Sequence, residues 1–153
     1  MKTYPLGIQT FSEIREKNLL YIDKTKEIYR LLQGKYYFYA RPRRFGKSLM
    51  LSTIKAIYEG KEELFKGLWI ENKWDFSKMY PVIHIGFSGM GHKEIGLKNA
   101  IQQTLKRLAQ EKQITFESKD YVTQFRELIQ KTAEAKGKVI LLIDEYDKPI
   151  IDY

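Results

Sequence analysis

The 153-residue chain has no cysteine, only two histidines and no long hydrophobic run. Without cysteine there is no disulfide framework and no thiolate metal site, which suits a cytoplasmic protein. His84 lies in an apolar run and reads as a core residue. His92 lies in a turn, and with no second His, Cys or carboxylate at ligand spacing no zinc site is expected. The longest aliphatic run, Val139 to Ile143, is far below the roughly 18 residues of a membrane span. The opening Met1-Lys2-Thr3-Tyr4-Pro5 lacks the apolar centre of a signal peptide, so a soluble protein with no membrane association is expected.

A hydrophobic fraction of 43% and an aromatic fraction of 14%, beside 30% charged residues, describe a globular chain rather than a disordered one. The length suits one domain, burying roughly 68–70% of its unfolded surface. A net charge of +8 favours polyanionic partners such as nucleotide phosphates or nucleic acid. Basic residues are spread along the chain, and only Arg41 to Lys47 gathers four of them in seven positions.

Taken in order, Thr10-Phe11-Ser12-Glu13 has the capping-box pattern and predicts a short helix from Phe11 to about Lys17. Asp23 can cap a second helix, in which Ile28, Leu31 and Leu32 keep a helical period before Gly34. The string Tyr21-Ile22-Asp23-Lys24-Thr25 between them reads as capping and packing, with nucleotide contact as the alternative. Lys35 to Ala40 is rich in aromatics with β preference and predicts a strand. A helix follows from Leu49 to Tyr58, with Gly60 as its stop, and a short helical piece comes near Glu62 to Phe65. Trp69, Trp74 and Phe76 read as core packing rather than base-stacking platforms, since no basic residues alternate with them. Val82 to Phe87 and Lys138 to Ile143 predict two apolar strands covered on both faces. Between them, apolar stripes at Leu97, Ile101, Leu105 and Leu108, and at Val122, Phe125, Leu128 and Ile129, predict two helices. Strands alternating with helices imply a parallel α/β sheet.

Two motifs carry chemistry. The stretch Arg41-Pro42-Arg43-Arg44-Phe45-Gly46-Lys47-Ser48 joins an expected strand to an expected helix, the setting of a phosphate-binding P-loop (Walker A). Backbone N–H groups from Arg43 to Leu49 would face phosphates, Lys47 would reach the β- and γ-phosphates, and the Ser48 hydroxyl would ligate Mg²⁺. Arg41 stands where that pattern has its first glycine. The second motif is the pair Asp144 and Glu145, delivered by an apolar strand to the sheet edge where ligands bind, as in a Walker B motif. Asp144 would hold Mg²⁺ and Glu145 would act as base or orienter for the attacking water. Arg43 and Arg44 could add charge at the phosphates or remain solvated. Asp147 is either a supporting acid or the cap of the turn before Pro149.

The strings at Tyr21–Thr25, Arg41–Ser48, Tyr80-Pro81-Val82-Ile83-His84 and Ile143-Asp144-Glu145-Tyr146-Asp147-Lys148-Pro149-Ile150 together resemble the bacterial "predicted AAA-ATPase" (AAA-ATPase-like) family, in which Arg41 is a family trait. The resemblance covers essentially the whole chain. It implies a P-loop NTPase of the additional-strand catalytic-glutamate class, with sheet order 5-1-4-3-2 and often a restriction-endonuclease-like nuclease domain at the C-terminal end. It also implies Lys47 and Ser48 in the phosphate and Mg²⁺ roles and Asp144 and Glu145 in the metal and water roles.

The resulting expectation is an α/β fold: a P-loop parallel sheet with flanking helices, incomplete, with three core strands and without strands four and five. It would form one truncated domain, a helical lead-in over 1–34 and the P-loop core over 35–153. Its function would be ATP binding and Mg²⁺-dependent hydrolysis by the parent protein, with weak or no activity from this chain alone. Nucleic acid would be met through an absent nuclease domain. The alternative is a basic nucleic-acid or protein interaction module with a vestigial P-loop. Direct pairing of the strands at 35–40 and 139–143 would instead indicate a complete small domain of the kinase-GTPase type.

Overall fold

The structure is a computed structural model in which residues 3–40, 46–87 and 96–145 are described. These residues make a mixed α/β protein with five α-helices and one two-stranded parallel sheet. They fall into two compact units, residues 1–79 and 80–153.

The first unit is helical. Helix α1 spans Phe11–Glu16, α2 Thr25–Leu31 and α3 Lys47–Tyr58, followed by a 3₁₀ turn at Glu62–Phe65. The expected capping box at α1 is corrected in one respect: Thr10 occupies the N-cap, but its side chain makes no capping bond. The N–H of Phe11 is satisfied instead from α3, donating to Ser52 Oγ at 3.0 Å. Helix α3 stops where Gly60 turns to φ 73°, and Lys61 N–H then bonds the Ala56 carbonyl at 3.1 Å, as in a Schellman closure. A Cβ at Gly60 would stand 2.8 Å from the Phe76 carbonyl oxygen, so glycine is required there for both conformation and space.

The core of this unit gathers Phe11, Ile14, Ile28, Ile54, Ile57, Phe65 and Ile70, all essentially inaccessible. Phe65 sits between Phe11 and Phe76, with ring centroids 4.8 and 5.1 Å away. Trp74 packs edge-on against Tyr29 and Tyr58, and Trp69 against Tyr29. Each fully buried Ile or Phe contributes about 1.5–3 kcal/mol relative to an exposed one.

The strand expected over Lys35 to Ala40 is not formed. Those residues belong to neither strand of the sheet, and Tyr36 and Phe38 are 94% and 74% exposed. Aromatic content gives β preference, yet a strand exists only where a neighbouring strand takes up its backbone donors and acceptors. The pairing of 35–40 with 139–143 that would mark a kinase-GTPase sheet is also not found.

The second unit carries the sheet. Strand β1 (Val82–Gly86) pairs in parallel with β2 (Ile140–Asp144), with Val82 opposite Ile140 and Gly86 opposite Asp144. Helices α4 (Leu97–Glu111) and α5 (Tyr121–Lys136) connect them, as parallel strands require. Asp120 caps α5, its carboxylate accepting from Thr123 N–H at 2.9 Å. Ile83, Ile85, Leu105, Leu108, Ala109 and Leu128 form the core that binds β1 to both helices. Coverage of β2 is narrower than its wholly apolar sequence implied: Leu142 is buried, whereas Leu141 and Ile143 are 39% and 45% exposed.

Candidate functional site

Gly46 opens α3 at φ 77°, a left-handed conformation that side chains rarely adopt. No atom lies within 4 Å of a Cβ placed there, so conformation and not crowding favours glycine. The first bond of the helical ladder runs from Met50 N–H to the Gly46 carbonyl at 2.9 Å. The N–H groups of Lys47, Ser48 and Leu49 therefore precede that ladder, at the positive end of the helix dipole. No acidic residue occupies this first turn, and the charge that does occupy it is the cation of Lys47. A cation there costs about 0.3–1 kcal/mol relative to an anion. Lys47, Ser48 and Leu49 are all half-buried.

One turn further in, the helix is fastened to its surroundings. Ser52 Oγ and Thr53 Oγ1 both donate to the Leu49 carbonyl at 2.8 Å, and Ser52 Oγ also accepts from Phe11 N–H. Thr53 is fully buried. Burial pushes the Tyr21 hydroxyl above its ordinary pKa, while the nearby Thr53 hydroxyl acts the other way.

The string Tyr21 to Thr25 is held by hydrogen bonds, but the expected Asp23 cap is corrected: Lys24 occupies the N-cap of α2 and makes no side-chain capping bond. Asp23 Oδ1 accepts from Thr25 N–H at 2.8 Å and Thr25 Oγ1 at 2.7 Å, and its Oδ2 accepts from Trp69 N–H at 2.7 Å. Thr25 Oγ1, fully buried, accepts from Ile70 N–H at 3.2 Å. Burial alone would raise the Asp23 carboxyl, but the hydrogen bonds from Thr25 and Trp69 hold it below the usual carboxylate range.

The acidic pair stands at the other unit's strand end. Asp144 is the last residue of β2, and its carbonyl accepts from Phe87 N–H at 3.1 Å. Glu145 follows at φ 51°, an uncommon conformation for a side chain of that size. Both residues are half-buried. A small cavity of about 40 Å³, lined by Pro81, Lys112, Lys131 and Thr132 among others, lies beside the opposite end of β1.

Lys47, Ser48 and Leu49 thus come together at one helix start, and Asp144 and Glu145 at one strand end, each group within its own unit. Arg41, Arg43, Arg44 and Phe45, together with His92 and Asp147, lie outside the described residues. His84 is half-buried in β1, and among the described residues no group of three or more His, Cys, Asp or Glu is gathered for a metal. No helix among them is long and apolar enough to cross a membrane. Sequence reasoning missed Ser52 and Thr53. Their signal was two adjacent hydroxyls on a helix that otherwise carries an apolar stripe.

The family described as Predicted AAA-ATPase matches residues 5–153. The chain is 42% identical over 155 residues to an uncharacterized protein in the vnfD 5′ region of Azotobacter chroococcum mcd 1. That match covers 99% of this chain and 30% of the relative, so the chain spans less than a third of the relative's length. No solved structure matches it. Because the family match runs over nearly every residue and not over the loop alone, the chain belongs to the predicted AAA-ATPase family.

Proposed function

We propose that this chain is the nucleotide-binding part of a Mg²⁺-dependent ATPase of the P-loop class. The observation that carries the reading is the start of α3: a left-handed Gly46 turns the chain so that Lys47 and Ser48 form the first helical turn, with their N–H groups outside the helical ladder. A cation in place of the usual acidic residue is unfavourable for an isolated helix and favourable for one that receives phosphate. Family membership supports ATP as the nucleotide.

The donor chemistry fits Mg²⁺. Ser48 and Asp144 offer hard oxygen ligands, and this ion needs only one or two protein oxygens beside phosphate and water. When bound, Mg²⁺ neutralises charge on the phosphate oxygens. Lys47 sets its ammonium against the β- and γ-phosphates, and the N–H groups from Gly46 to Leu49 donate to phosphate oxygens. Arg43, Arg44 and Phe45 complete the loop by sequence. Glu145 holds and orients the attacking water and takes its proton. In this reading Lys47 and Glu145 are the catalytic residues.

The sheet supports the same class. Taking β1 and β2 as strands two and three of the order 5-1-4-3-2, their direct parallel pairing is the expected one. Residues 35–40 would then be strand one, whose neighbours are strands four and five. The Azotobacter relative, most of which lies outside the match, has length enough to carry such strands and a nuclease domain.

The test is a pair of variants in the full protein. Lys47→Ala is expected to lose both ATP binding and turnover. Glu145→Gln is expected to keep ATP affinity and lose turnover by about 10²-fold or more. Salt-dependent DNA binding that survives Lys47→Ala, with no measurable ATP affinity, would replace this reading with that of a basic nucleic-acid module.

A further inference from the structure

The nucleotide reading gives no task to the start of α1, yet α1 is bonded into α3 one turn behind Lys47 and Ser48. We infer that Ser52 is a positioning residue for the nucleotide site, its hydroxyl joining the first N–H of α1 to the peptide groups that present the Lys47 N–H to phosphate. This inference rests on the proposed nucleotide reading.

The connection is a series of hydrogen bonds that all run in one direction. Phe11 N–H donates to Ser52 Oγ at 3.0 Å. Thr10 makes no side-chain bond to that end of α1, so the Ser52 hydroxyl satisfies one of its orphan donors from another element. Ser52 Oγ in turn donates to the Leu49 carbonyl at 2.8 Å, and the Gln9 carbonyl, at 3.5 Å, competes poorly for the same proton. The peptide group of the Leu49 carbonyl carries the Met50 N–H, which donates to the Gly46 carbonyl at 2.9 Å. The Gly46 peptide group carries the Lys47 N–H, which precedes the helical ladder and in the nucleotide reading meets phosphate. Each carbonyl that accepts a bond makes the N–H of its own peptide group a stronger donor, so a chain with this direction ends on a donor polarised toward an anion. Thr53 Oγ1 also donates to the Leu49 carbonyl at 2.8 Å, but from within α3, whereas Ser52 brings in α1. The far end of the chain is anchored in the core: Phe11 is inaccessible, and its ring centroid lies 4.8 Å from that of Phe65. A displacement of about 1 Å in a group that meets phosphate can cost about 10²-fold in rate or affinity.

Capping α1 alone would give Ser52 a purely structural role, and the two roles separate at Met50, whose N–H belongs to the chain and not to α1. The experiment measures binding of ATP with Mg²⁺, the thermal midpoint, and amide exchange at Phe11 and Met50, in the full protein. The variants are Ser52→Ala, which removes the hydroxyl, Ser52→Thr, which keeps it, and Ile28→Val as a comparator that trims the same core without touching the first turns of α3. Ser52→Ala is expected to weaken ATP binding by about tenfold and to lose protection at both Phe11 and Met50. Ser52→Thr is expected to recover most of the affinity, and Ile28→Val to lower the midpoint while leaving affinity unchanged. Unaltered affinity in Ser52→Ala, an equal loss in Ser52→Thr or Ile28→Val, or protection lost at Phe11 alone would overturn the inference. If the unsubstituted protein shows no Lys47-dependent nucleotide binding, the nucleotide reading itself falls. Exchange then decides the chain of bonds separately: loss of protection at Met50 in Ser52→Ala but not in Ile28→Val upholds it, and unchanged protection refutes it.

Discussion

Residues 35–40 and 140–144 are both rich in strand-forming side chains, yet only the second segment is a strand. Ile140–Asp144 pairs with Val82–Gly86 and sets Leu142 into the interior, whereas Tyr36 and Phe38 stand almost wholly in solvent. The difference does not lie in intrinsic preference, which favours the aromatic segment at least as much. It lies in whether a partner strand and a covering helix are at hand. Helices α4 and α5 supply the cover for β1 through Leu105, Leu108 and Leu128, and β1 supplies the partner for β2. Sheet formation is thus a property of the assembled layer, and a strand read from sequence is a demand for neighbours.

That comparison is broken most forcefully by removing the cover. Leu128→Ala deletes a fully buried side chain beneath β1 and is expected to cost about 2–5 kcal/mol, read as a fall in the denaturant midpoint with loss of strand signal. A loss under 1 kcal/mol would mean that the sheet does not depend on α5. Next comes the helical unit. Asp23→Ala removes the acceptor of three hydrogen bonds and is expected to cost about 1–2 kcal/mol without weakening the sheet of the other unit.

The same carboxylate gives a pH signature. Its folded pKa is depressed below 3.8, so its contribution is intact above that value and is lost as pH falls through the lower folded one. Acid unfolding of the wild type is expected to begin below about pH 4 with a slope that Asp23→Asn reduces; an identical acid limb in the variant would remove Asp23 from the account. Smallest of all, Tyr36→Ser is expected to change stability by less than about 0.5 kcal/mol, because the side chain is 94% exposed. A larger loss in thermal unfolding would show residues 35–40 to be packed, and the contrast with β2 would dissolve.

Much of the architecture was legible beforehand. The helices at Thr25–Leu31, Lys47–Tyr58, Leu97–Glu111 and Tyr121–Lys136 follow apolar stripes, that at Phe11–Glu16 follows a capping-box pattern, and the two formed strands follow mostly apolar runs. Local periodicity suffices for such elements because their own side chains define the buried face. The unformed strand and the exposed Leu141 and Ile143 were not legible, since each depends on what other elements leave uncovered. The same division holds for the site. A helix following Gly46-Lys47-Ser48, and an acidic pair ending a strand, could be read from the two motifs, whereas the helix start at Lys47 instead of Leu49 and the left-handed Gly46 could not. Nor could the tie of Phe11 to α3 through Ser52, because that bond joins residues 41 positions apart.

The central claim is that the start of α3 is built to receive nucleotide phosphate. Calorimetric titration of the chain with ATP and Mg²⁺, repeated on Lys47→Ala, addresses it most directly. The account predicts saturable one-to-one binding in the unsubstituted chain and a loss of about 10²-fold or more in the variant, since Lys47 supplies the charge that meets the phosphates. Equal affinity in the two proteins, or no binding in the unsubstituted chain, would contradict it.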